Sequence, residues 1–126
     1  MPPDKVLLVE DDPVILRLLE VNFELEGFDV VLARDGAEGI DLARSERPDL
    51  VISDIMMPKV SGLELVIALK GDAATSEIPI ILLSAKAQNA DVRAGLDAGA
   101  DDYVTKPFEP LDLVDRVNAL LAKRRR

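Results

Sequence analysis

The stretch VLLVEDD, which runs from Val6 to Asp12, passes from four apolar residues directly into three acidic ones. Its apolar half predicts a buried strand, because such a run has no polar face to turn toward water. A second apolar run, residues 50–52, also leads into an acid, Asp54. Parallel strands of an open α/β sheet end along one edge, and binding sites lie at that edge. The sequence therefore predicts several acids at one sheet edge, where their mutual repulsion favours a bound cation.

Composition limits the classes of protein that fit. The 126 residues are 48% hydrophobic but only 3% aromatic, which predicts a single core built of aliphatic side chains. The absence of cysteine and histidine excludes thiol nucleophiles, disulfides and imidazole zinc sites, and removes the commonest general base. The longest apolar run, residues 78–83, is far shorter than the ~18 residues of a membrane span. With a polar N-terminus unlike a signal peptide, a cytoplasmic protein is expected.

The charge distribution argues against nucleic acid as a direct partner of this domain. The formal net charge is −9, and four of the fifteen basic residues lie in the terminal tail, residues 123–126, so the rest is more acidic still. Such a surface repels phosphate backbones. The sequence also has no Walker lysine loop and no G-x-G-x-x-G motif, which argues against nucleotide binding.

Short apolar runs alternate with segments of helical periodicity, as is typical of βα units around a parallel sheet. Strands are predicted at residues 5–9, 28–33, 50–53, 80–84 and 102–105, and helices at residues 13–26, 37–44, 62–70, 89–98 and 111–121. Residues 72–77 are predicted to form a loop. The expected architecture is an α/β fold of type (βα)5, a three-layer sandwich around a five-stranded parallel sheet.

Three of the helices carry more detailed predictions. The first is expected to start with Asp12 as cap and Pro13 in its first turn, and to end at Gly27. Its apolar face is assigned to Val14, Leu18, Val21 and Leu25. In the second helix the residues expected to face inward are Ala37, Ile40 and Ala43. In the fifth the aligned apolar residues are Val114, Val117 and Leu121, followed by basic residues that favour the helix dipole.

The side chains at the predicted strand ends are acids, one hydroxyl and one amine: Glu10, Asp11, Asp12, Asp54, Ser84 and Lys106. This set makes a poor hydrolase triad but suits phosphoryl transfer, which depends on positioning and charge neutralisation. Asp11 and Asp54 can supply carboxylate ligands to Mg²⁺, with a backbone carbonyl near Met56 as another. Asp54 is the candidate nucleophile for an aspartyl phosphate, with Lys106 and Ser84 contacting the transferred group.

Four motifs resemble, in order and spacing, the signature of the receiver domains of bacterial two-component response regulators, a family that includes chemotaxis regulators. They are VLLVEDD, SDIMMP, LSA and GADDYVTKPF, and they are far more specific together than singly. The resemblance extends from Lys5 to about Ala122. It implies a flavodoxin-like sheet with strand order 2-1-3-4-5.

The resemblance also implies a role for each matched residue at the acidic edge. Asp54 matches the phosphoacceptor. Asp11 matches a direct Mg²⁺ ligand, Glu10 a ligand through water, and Met56 a ligand through its carbonyl oxygen. Asp12 lies outside the usual acidic pair and is assigned to helix capping.

Three further residues match positions that respond to phosphorylation. Ser84 matches the switch hydroxyl, Lys106 the lysine that pairs with the phosphoryl group, and Tyr103 the aromatic that moves between outward and inward positions. The Lys106–Pro107 peptide bond is expected to be cis.

The function implied by the resemblance is that of a phosphorelay module. A sensor histidine kinase or a histidine phosphotransfer protein would phosphorylate Asp54, and the face of the fourth helix, fifth strand and fifth helix would switch to control an effector, an output domain or a homodimer. No membrane partner is expected, and no enzymatic activity beyond Mg²⁺-dependent self-phosphorylation and autodephosphorylation. Residues 1–126 are interpreted as one receiver domain, with the basic tail, residues 123–126, as a candidate start of a linker.

Two other functions fit parts of the pattern. A Mg²⁺-dependent phosphatase or phosphotransferase would also use an aspartyl phosphate, but such enzymes typically need a second aspartate two residues after the first, where this chain has Met56. They also carry insertions for which the chain has no room. An interaction domain on the same fold that is never phosphorylated is the second alternative.

Overall fold

The computed structural model of the chain describes residues 3–85 and 89–124, which form five strands and five helices in strict alternation. In chain order the elements are β1 (Lys5–Val9), α1 (Pro13–Leu25), β2 (Asp29–Ala33), α2 (Gly36–Glu46), β3 (Leu50–Asp54), α3 (Gly62–Lys70), β4 (Ile80–Ser84), α4 (Asn89–Ala98), β5 (Asp102–Thr105) and α5 (Pro110–Arg124). The strands pair in parallel in the order β2-β1-β3-β4-β5. The predicted fold class and strand order are confirmed.

The element boundaries agree with the predictions to within a few residues. Most differences lie at helix ends: α2 is one residue longer at its start and two at its end, and α5 begins at Pro110 and continues to Arg124. β3 continues one residue further than predicted, so Asp54 itself belongs to the strand. The acid is therefore held by the sheet and does not lie in the following loop.

Two hydrophobic cores cover the two faces of the sheet. On one face α1 and α5 pack through Leu16, Leu19, Phe23, Leu113 and Val117. On the other face α2 and α3 pack against alternate residues of the same strands. Because β1, β3 and β4 are covered on both faces, nearly all of their residues are buried.

The buried face of α1 differs from the sequence prediction. Val14 and Leu25 are 76% and 78% exposed, and Leu18 and Val21 are also exposed. The side chains that reach the core are Leu16, Leu19 and Phe23. The sequence of α1 is apolar around most of its circumference, so its periodicity did not identify one inward face. The structure leaves a second apolar stripe on the surface.

The inward face of α2 also required correction. Ala43 is buried and Ile40 is half-buried, as predicted, but Ala37 is exposed. The other buried positions are Gly36, which approaches the loop before α3, and Gly39, which approaches β1. A Cβ atom on Gly39 would lie 2.9 Å from a methyl group of Val9, so this close approach requires a residue without a side chain. Glycines carry no hydrophobic signal, which is why the sequence pattern missed them.

The predicted caps of α1 are confirmed. The Asp12 side chain accepts hydrogen bonds from the backbone N–H groups of Val14 and Ile15, and Pro13 occupies the first turn. After the C-cap residue Glu26, Gly27 adopts a φ of 92°, a left-handed conformation that favours glycine. The N-terminal cap fixes the start of α1 immediately after the acidic residues that follow β1.

Candidate metal centre

The alternation of side chains along the strands decides which charged groups meet. Val6 and Leu8 of β1 belong to the core on the α1 and α5 side, as do Leu50 and Ile52 of β3. Glu10 and Asp54 continue these two rows by the two-residue period of a strand. Val104 of β5 lies in the same core, and Lys106 follows it by the same period. The three polar groups therefore project from the same side of the sheet at its carboxyl edge.

Lys106 joins the two carboxylates in a buried ion-pair network. Its Nζ atom donates to Glu10 Oε1 at 2.8 Å and to Asp54 Oδ2 at 3.1 Å. Glu10 has no exposed surface and Asp54 is 5% exposed. The second carboxylate oxygen of Glu10 accepts the backbone N–H of Asp12 at 3.1 Å. Both acids are thus held in place by hydrogen bonds to charged or fixed donors.

Burial changes the protonation of this network. It raises the pKa of Glu10 to about 7, although the hydrogen bond from Lys106 acts in the opposite direction. Burial by itself lowers the pKa of Lys106, but its hydrogen bonds to Glu10 and Asp54 outweigh that effect and the net pKa is raised. Lys106 alone therefore does not balance the negative charge of this site, and the ionised form of Glu10 is disfavoured.

Three carboxylates form a group with the dimensions of a metal site. Oxygen atoms of Glu10, Asp11 and Asp54 all lie within 4.8 Å of one another, with Asp11 exposed and the other two buried. Hard oxygen ligands of this kind fit Mg²⁺, which retains waters and accepts one or two carboxylates. The sequence predicted that Glu10, Asp11 and Asp54 meet at this edge of the sheet, and the structure brings the three together.

Of the other predicted site residues, Ser84 and Tyr103 lie on β4 and β5, and Met56 follows β3. Ser84 is buried at the end of β4, and its carbonyl accepts the backbone N–H of Lys106 at 2.6 Å. The Lys106–Pro107 bond is cis, as predicted. Met56 follows β3 by two residues, and its side chain is 68% exposed. Tyr103 lies on β5, further from the carboxylates in the sheet register, and lines a separate cleft of about 420 Å³.

Sequence reasoning missed two residues that shape the backbone of Asp54. The hydroxyl of Ser53 is buried and donates to the Asp54 carbonyl at 3.0 Å. A Cβ atom on Gly62 would collide with the Asp54 carbonyl oxygen and lie 2.8 Å from Ile55 Cα. A glycine in the first turn of a helix, where other residues are favoured, was the available signal for this close approach.

The comparison with protein families was consistent with this geometry. The family model described as the response regulator receiver domain matches residues 6–118 of this chain. The chain belongs to the response regulator receiver family. Receiver domains are the phosphoacceptor modules of two-component response regulators, and they are not enzymes in the usual sense. The resemblance inferred from the four motifs is confirmed.

Relatives of this receiver domain include several transcriptional regulators. PrrA of Mycobacterium tuberculosis, a transcriptional regulatory protein, is 46% identical over 120 residues, which are 95% of this chain and 51% of PrrA. RpaA of Synechocystis, a DNA-binding dual master transcriptional regulator, is 43% identical over 119 residues, 94% of this chain and 49% of RpaA. The chain thus spans about half the length of these curated relatives.

Solved structures give the same fold. The receiver domain of the Francisella response regulator 1452 has a TM-score of 0.88 at 36% identity, covering 98% of this chain and 99% of that one. The receiver domain of the sensor histidine kinase PA1611 from Pseudomonas aeruginosa has a TM-score of 0.89 at 29% identity, covering 95% and 98%. That structure has a magnesium ion coordinated in its active site cleft.

Receiver domains generally use Mg²⁺, and the Glu10, Asp11 and Asp54 cluster of this one is suited to hold it. Response regulators act together with histidine kinases and output domains. Among the described residues, no helix is both long and apolar enough to cross a membrane.

Proposed function

We propose that Asp54 is the residue that accepts the phosphoryl group in this receiver domain. The observation that carries the proposal is the position of its carboxylate, which ends the central strand β3 between two other carboxylates and the ammonium of Lys106. Among the described acids, only Asp54 is itself the last residue of a strand and is also buried and bound to Lys106; Glu10 shares the burial and the lysine but lies one residue beyond β1.

The metal ligands in this proposal are the side chains of Asp11 and Asp54, Glu10 through water, and the carbonyl of Met56. A bound Mg²⁺ supplies positive charge for the oxygens of the transferred group. The acidic cluster fits this requirement because oxygen atoms of three carboxylates lie within 4.8 Å of one another, with Lys106 bound to two of them.

The chemistry assigned to the chain's own residues needs no general base. A carboxylate oxygen of Asp54 attacks phosphorus, the new bond is O–P, and the bond from phosphorus to the imidazole nitrogen of the donor histidine breaks. Lys106 Nζ, already 3.1 Å from Asp54, compensates charge on the transferred group. The hydroxyl of Ser84, at the adjacent strand end, donates a further hydrogen bond. Hydrolysis of the acyl phosphate by water then returns the carboxylate.

The output of the module is a change in the face formed by α4, β5 and α5. Phosphorylation replaces the single negative charge of the carboxylate by a phosphoryl group of about −2 charge next to Ser84 and Lys106, which draws Ser84 toward the phosphoryl group, and Tyr103 turns inward. On this face Arg116 bridges Asp102 at 3.0 Å and Asp112 at 3.2 Å. These exposed pairs are weak, so the face can exchange them for contacts with an effector, an output domain or a second copy.

The exposed stripe of α1, formed by Val14, Leu18, Val21 and Leu25, is the proposed contact for a histidine kinase or phosphotransfer protein, together with the Pro107-Phe108 loop. The four residues follow a four-three-four spacing, which fits a helical partner. The protein would act in the cytoplasm, and its basic tail, residues 123–126, would lead into a linker. DNA binding, where it occurs in such regulators, would be the task of another domain.

Phosphorylation by a small donor tests this function. The protein is incubated with acetyl phosphate and Mg²⁺, and intact mass is measured; beryllofluoride binding is followed in parallel. One added phosphoryl group per chain is expected, with none in Asp54→Asn and normal labelling in Asp41→Asn, an exposed acid of α2. The proposal fails if wild type gains no mass or if Asp54→Asn is labelled equally. Continuous turnover of a small phosphomonoester would instead favour the phosphatase alternative.

The lifetime of the phosphoryl group is expected to depend on residues around the path of attacking water. Met56→Asn should change the rate of dephosphorylation, because an amide replaces an exposed thioether beside the acceptor. Lys86→Glu is predicted to do the same, although Lys86 lies outside the described residues. Unchanged decay of the labelled protein in both variants would contradict this prediction.

A further inference from the structure

The peptide unit between Asp54 and Ile55 is held through both of its polar groups. Its N–H group, that of Ile55, donates to the carbonyl of Leu83 in β4 at 2.9 Å. Its C=O group, that of Asp54, accepts the hydroxyl of Ser53 at 3.0 Å. A peptide plane fixed at both ends has little freedom to rotate, so the direction in which the Asp54 side chain leaves the backbone is also fixed.

Gly62 presses on the same peptide from the side of α3. Its N–H donates to the carbonyl of Ile55 at 2.8 Å, and a Cβ atom at this position would clash with the Asp54 carbonyl oxygen. The backbone that leads from Asp54 toward Met56 is thus confined between the Ser53 hydroxyl and the first turn of α3.

Ser53 is otherwise an unusual residue for its position. It is fully buried in a strand whose preceding residues are all aliphatic, and its neighbours in the register are Val9 and Leu82. A hydroxyl in such surroundings is costly unless it makes a hydrogen bond. An alanine would fill the site without that cost, so the hydroxyl matters through what it holds.

We propose that Ser53 is a positioning residue for the phosphoacceptor: its hydroxyl orients the Asp54–Ile55 peptide and thereby the Asp54 carboxylate and the loop that carries Met56. This inference rests on the proposed role of Asp54 and goes beyond it. Ser53 touches neither the donor nor the metal, because its side chain lies on the α2 and α3 side of the sheet, opposite to Asp54.

The test compares two buried hydroxyls that make the same kind of bond. Thr75, which is also fully buried, donates to the carbonyl of Leu69 at 2.7 Å in the loop that follows α3. Ser53→Ala removes one hydroxyl-to-carbonyl hydrogen bond, whereas Thr75→Ala removes the bond to Leu69, a longer one to the Asp72 carbonyl at 3.4 Å and a methyl group, so Thr75→Ala should lose at least as much stability in urea. A purely structural role for Ser53 would make the two variants alike in every other respect.

Three further measurements separate the roles: the Mg²⁺ dissociation constant from amide NMR titration, the rate of phosphorylation by acetyl phosphate at saturating Mg²⁺, and rescue by Ser53→Thr. For Ser53→Ala we expect Mg²⁺ binding weakened about fivefold, the change that corresponds to one hydrogen bond, and phosphorylation slowed about tenfold through misplacement of the carboxylate. Thr75→Ala should stay within about twofold of wild type, since hydrogen bonds remote from the site should not move its geometry. Ser53→Thr, which keeps the donor, should recover both values.

The proposal is overturned if Ser53→Ala binds Mg²⁺ and is phosphorylated as well as Thr75→Ala, or if a folded Ser53→Thr behaves like Ser53→Ala. If Ser53→Ala does not fold, Ser53→Cys takes its place, because a thiol keeps the volume but is a weak donor; partial loss supports the proposal and no loss refutes it. Failure of the proposed function would look different, since wild type itself would not be phosphorylated while the effect of Ser53 on Mg²⁺ binding would persist.

Discussion

At the scale of single residues, the site combines a group of carboxylates suited to hold a metal with its own internal counter-charge. Lys106 neutralises part of the charge of Glu10 and Asp54, and Asp11 extends the same cluster to the surface. The raised pKa of Glu10 shows that one lysine is insufficient compensation for buried acids. A divalent cation would remove this imbalance, so the residues proposed to bind metal would also carry the electrostatic cost of its absence.

A pH dependence of stability follows from Glu10. Its pKa is raised from 4.5 to about 7 in the folded protein, so between these values the folded state retains a proton that the unfolded state releases. The free energy of unfolding should therefore fall as the pH rises through this window. Urea unfolding in the presence of a chelator should show this fall in wild type relative to Glu10→Gln, which cannot titrate. A constant difference between the two proteins from pH 4.5 to pH 7 would contradict the assignment.

At the scale of elements, α1 has two apolar sides, of which one is buried in the core and the other is exposed. Leu16→Ala should lower the free energy of unfolding by about 2–4 kcal/mol, because it leaves a cavity between α1 and the sheet. Leu18→Ala should change it by less than about 0.5 kcal/mol, since the side chain is already exposed. Urea denaturation measures both; equal losses would mean that the helix is rotated relative to the structure.

The same helix allows the partner interface to be separated from the chemistry. Leu18→Asp should slow phosphoryl transfer from a histidine kinase or phosphotransfer protein by tenfold or so, because a charge at an interface core is costly. Phosphorylation by acetyl phosphate should be unchanged, as the substitution leaves the carboxylate cluster intact. Glu24→Gln, on the same helix, serves as a control. A kinase that phosphorylates Leu18→Asp at the wild-type rate would exclude this face.

The end of α2 provides a test of backbone strain away from the site. Its C-cap residue Arg47 has a φ of 46° and a ψ of 62°, a left-handed conformation that disfavours residues with a Cβ atom. Arg47→Gly should raise the free energy of unfolding by about 0.5–1 kcal/mol, whereas Arg47→Ala should give no gain. Thermal and urea midpoints of the two variants decide; a gain for alanine would point to the loss of charge as the cause.

At the scale of the whole molecule, the strand order places β1 and β3 side by side at the centre of the sheet, and Lys106 reaches them from the loop after β5. Glu10 and Lys106 are 96 residues apart in sequence and 2.8 Å apart in space. A net charge of −9 adds a general repulsion to the local one. A cation that binds this edge of the folded protein, and has no equivalent site in the unfolded chain, therefore raises the free energy of unfolding.

Mg²⁺ should stabilise the fold beyond its effect on ionic strength. At a concentration of about 100 times its dissociation constant, a ligand specific for the folded state adds about 2.7 kcal/mol. Thermal unfolding in MgCl₂ and in NaCl of equal ionic strength should therefore differ for wild type. The difference should be largely lost in Asp11→Asn and kept in Asp41→Asn. Equal midpoints in the two salts for wild type would show that the cluster does not bind the ion.

The sequence by itself determined the order of the elements, the parallel sheet, and the family and its phosphoacceptor function, because these depend on short-range periodicity and on four motifs read together. It also identified the acids, the serine and the lysine that the structure gathers at one edge. Their roles there remain predictions.

Only the tertiary structure decided which side of α1 is buried, that Gly39 lets α2 approach the sheet closely, and that Ser53 and Gly62 enclose the peptide after Asp54. The physical reason is that these features depend on what lies opposite each residue. A helix that is apolar on most sides has no preferred face until a partner covers one, and a glycine or a lone serine gives no periodic signal. The buried face of such a helix and the role of such a glycine or serine are both set by contacts between residues that are distant in sequence.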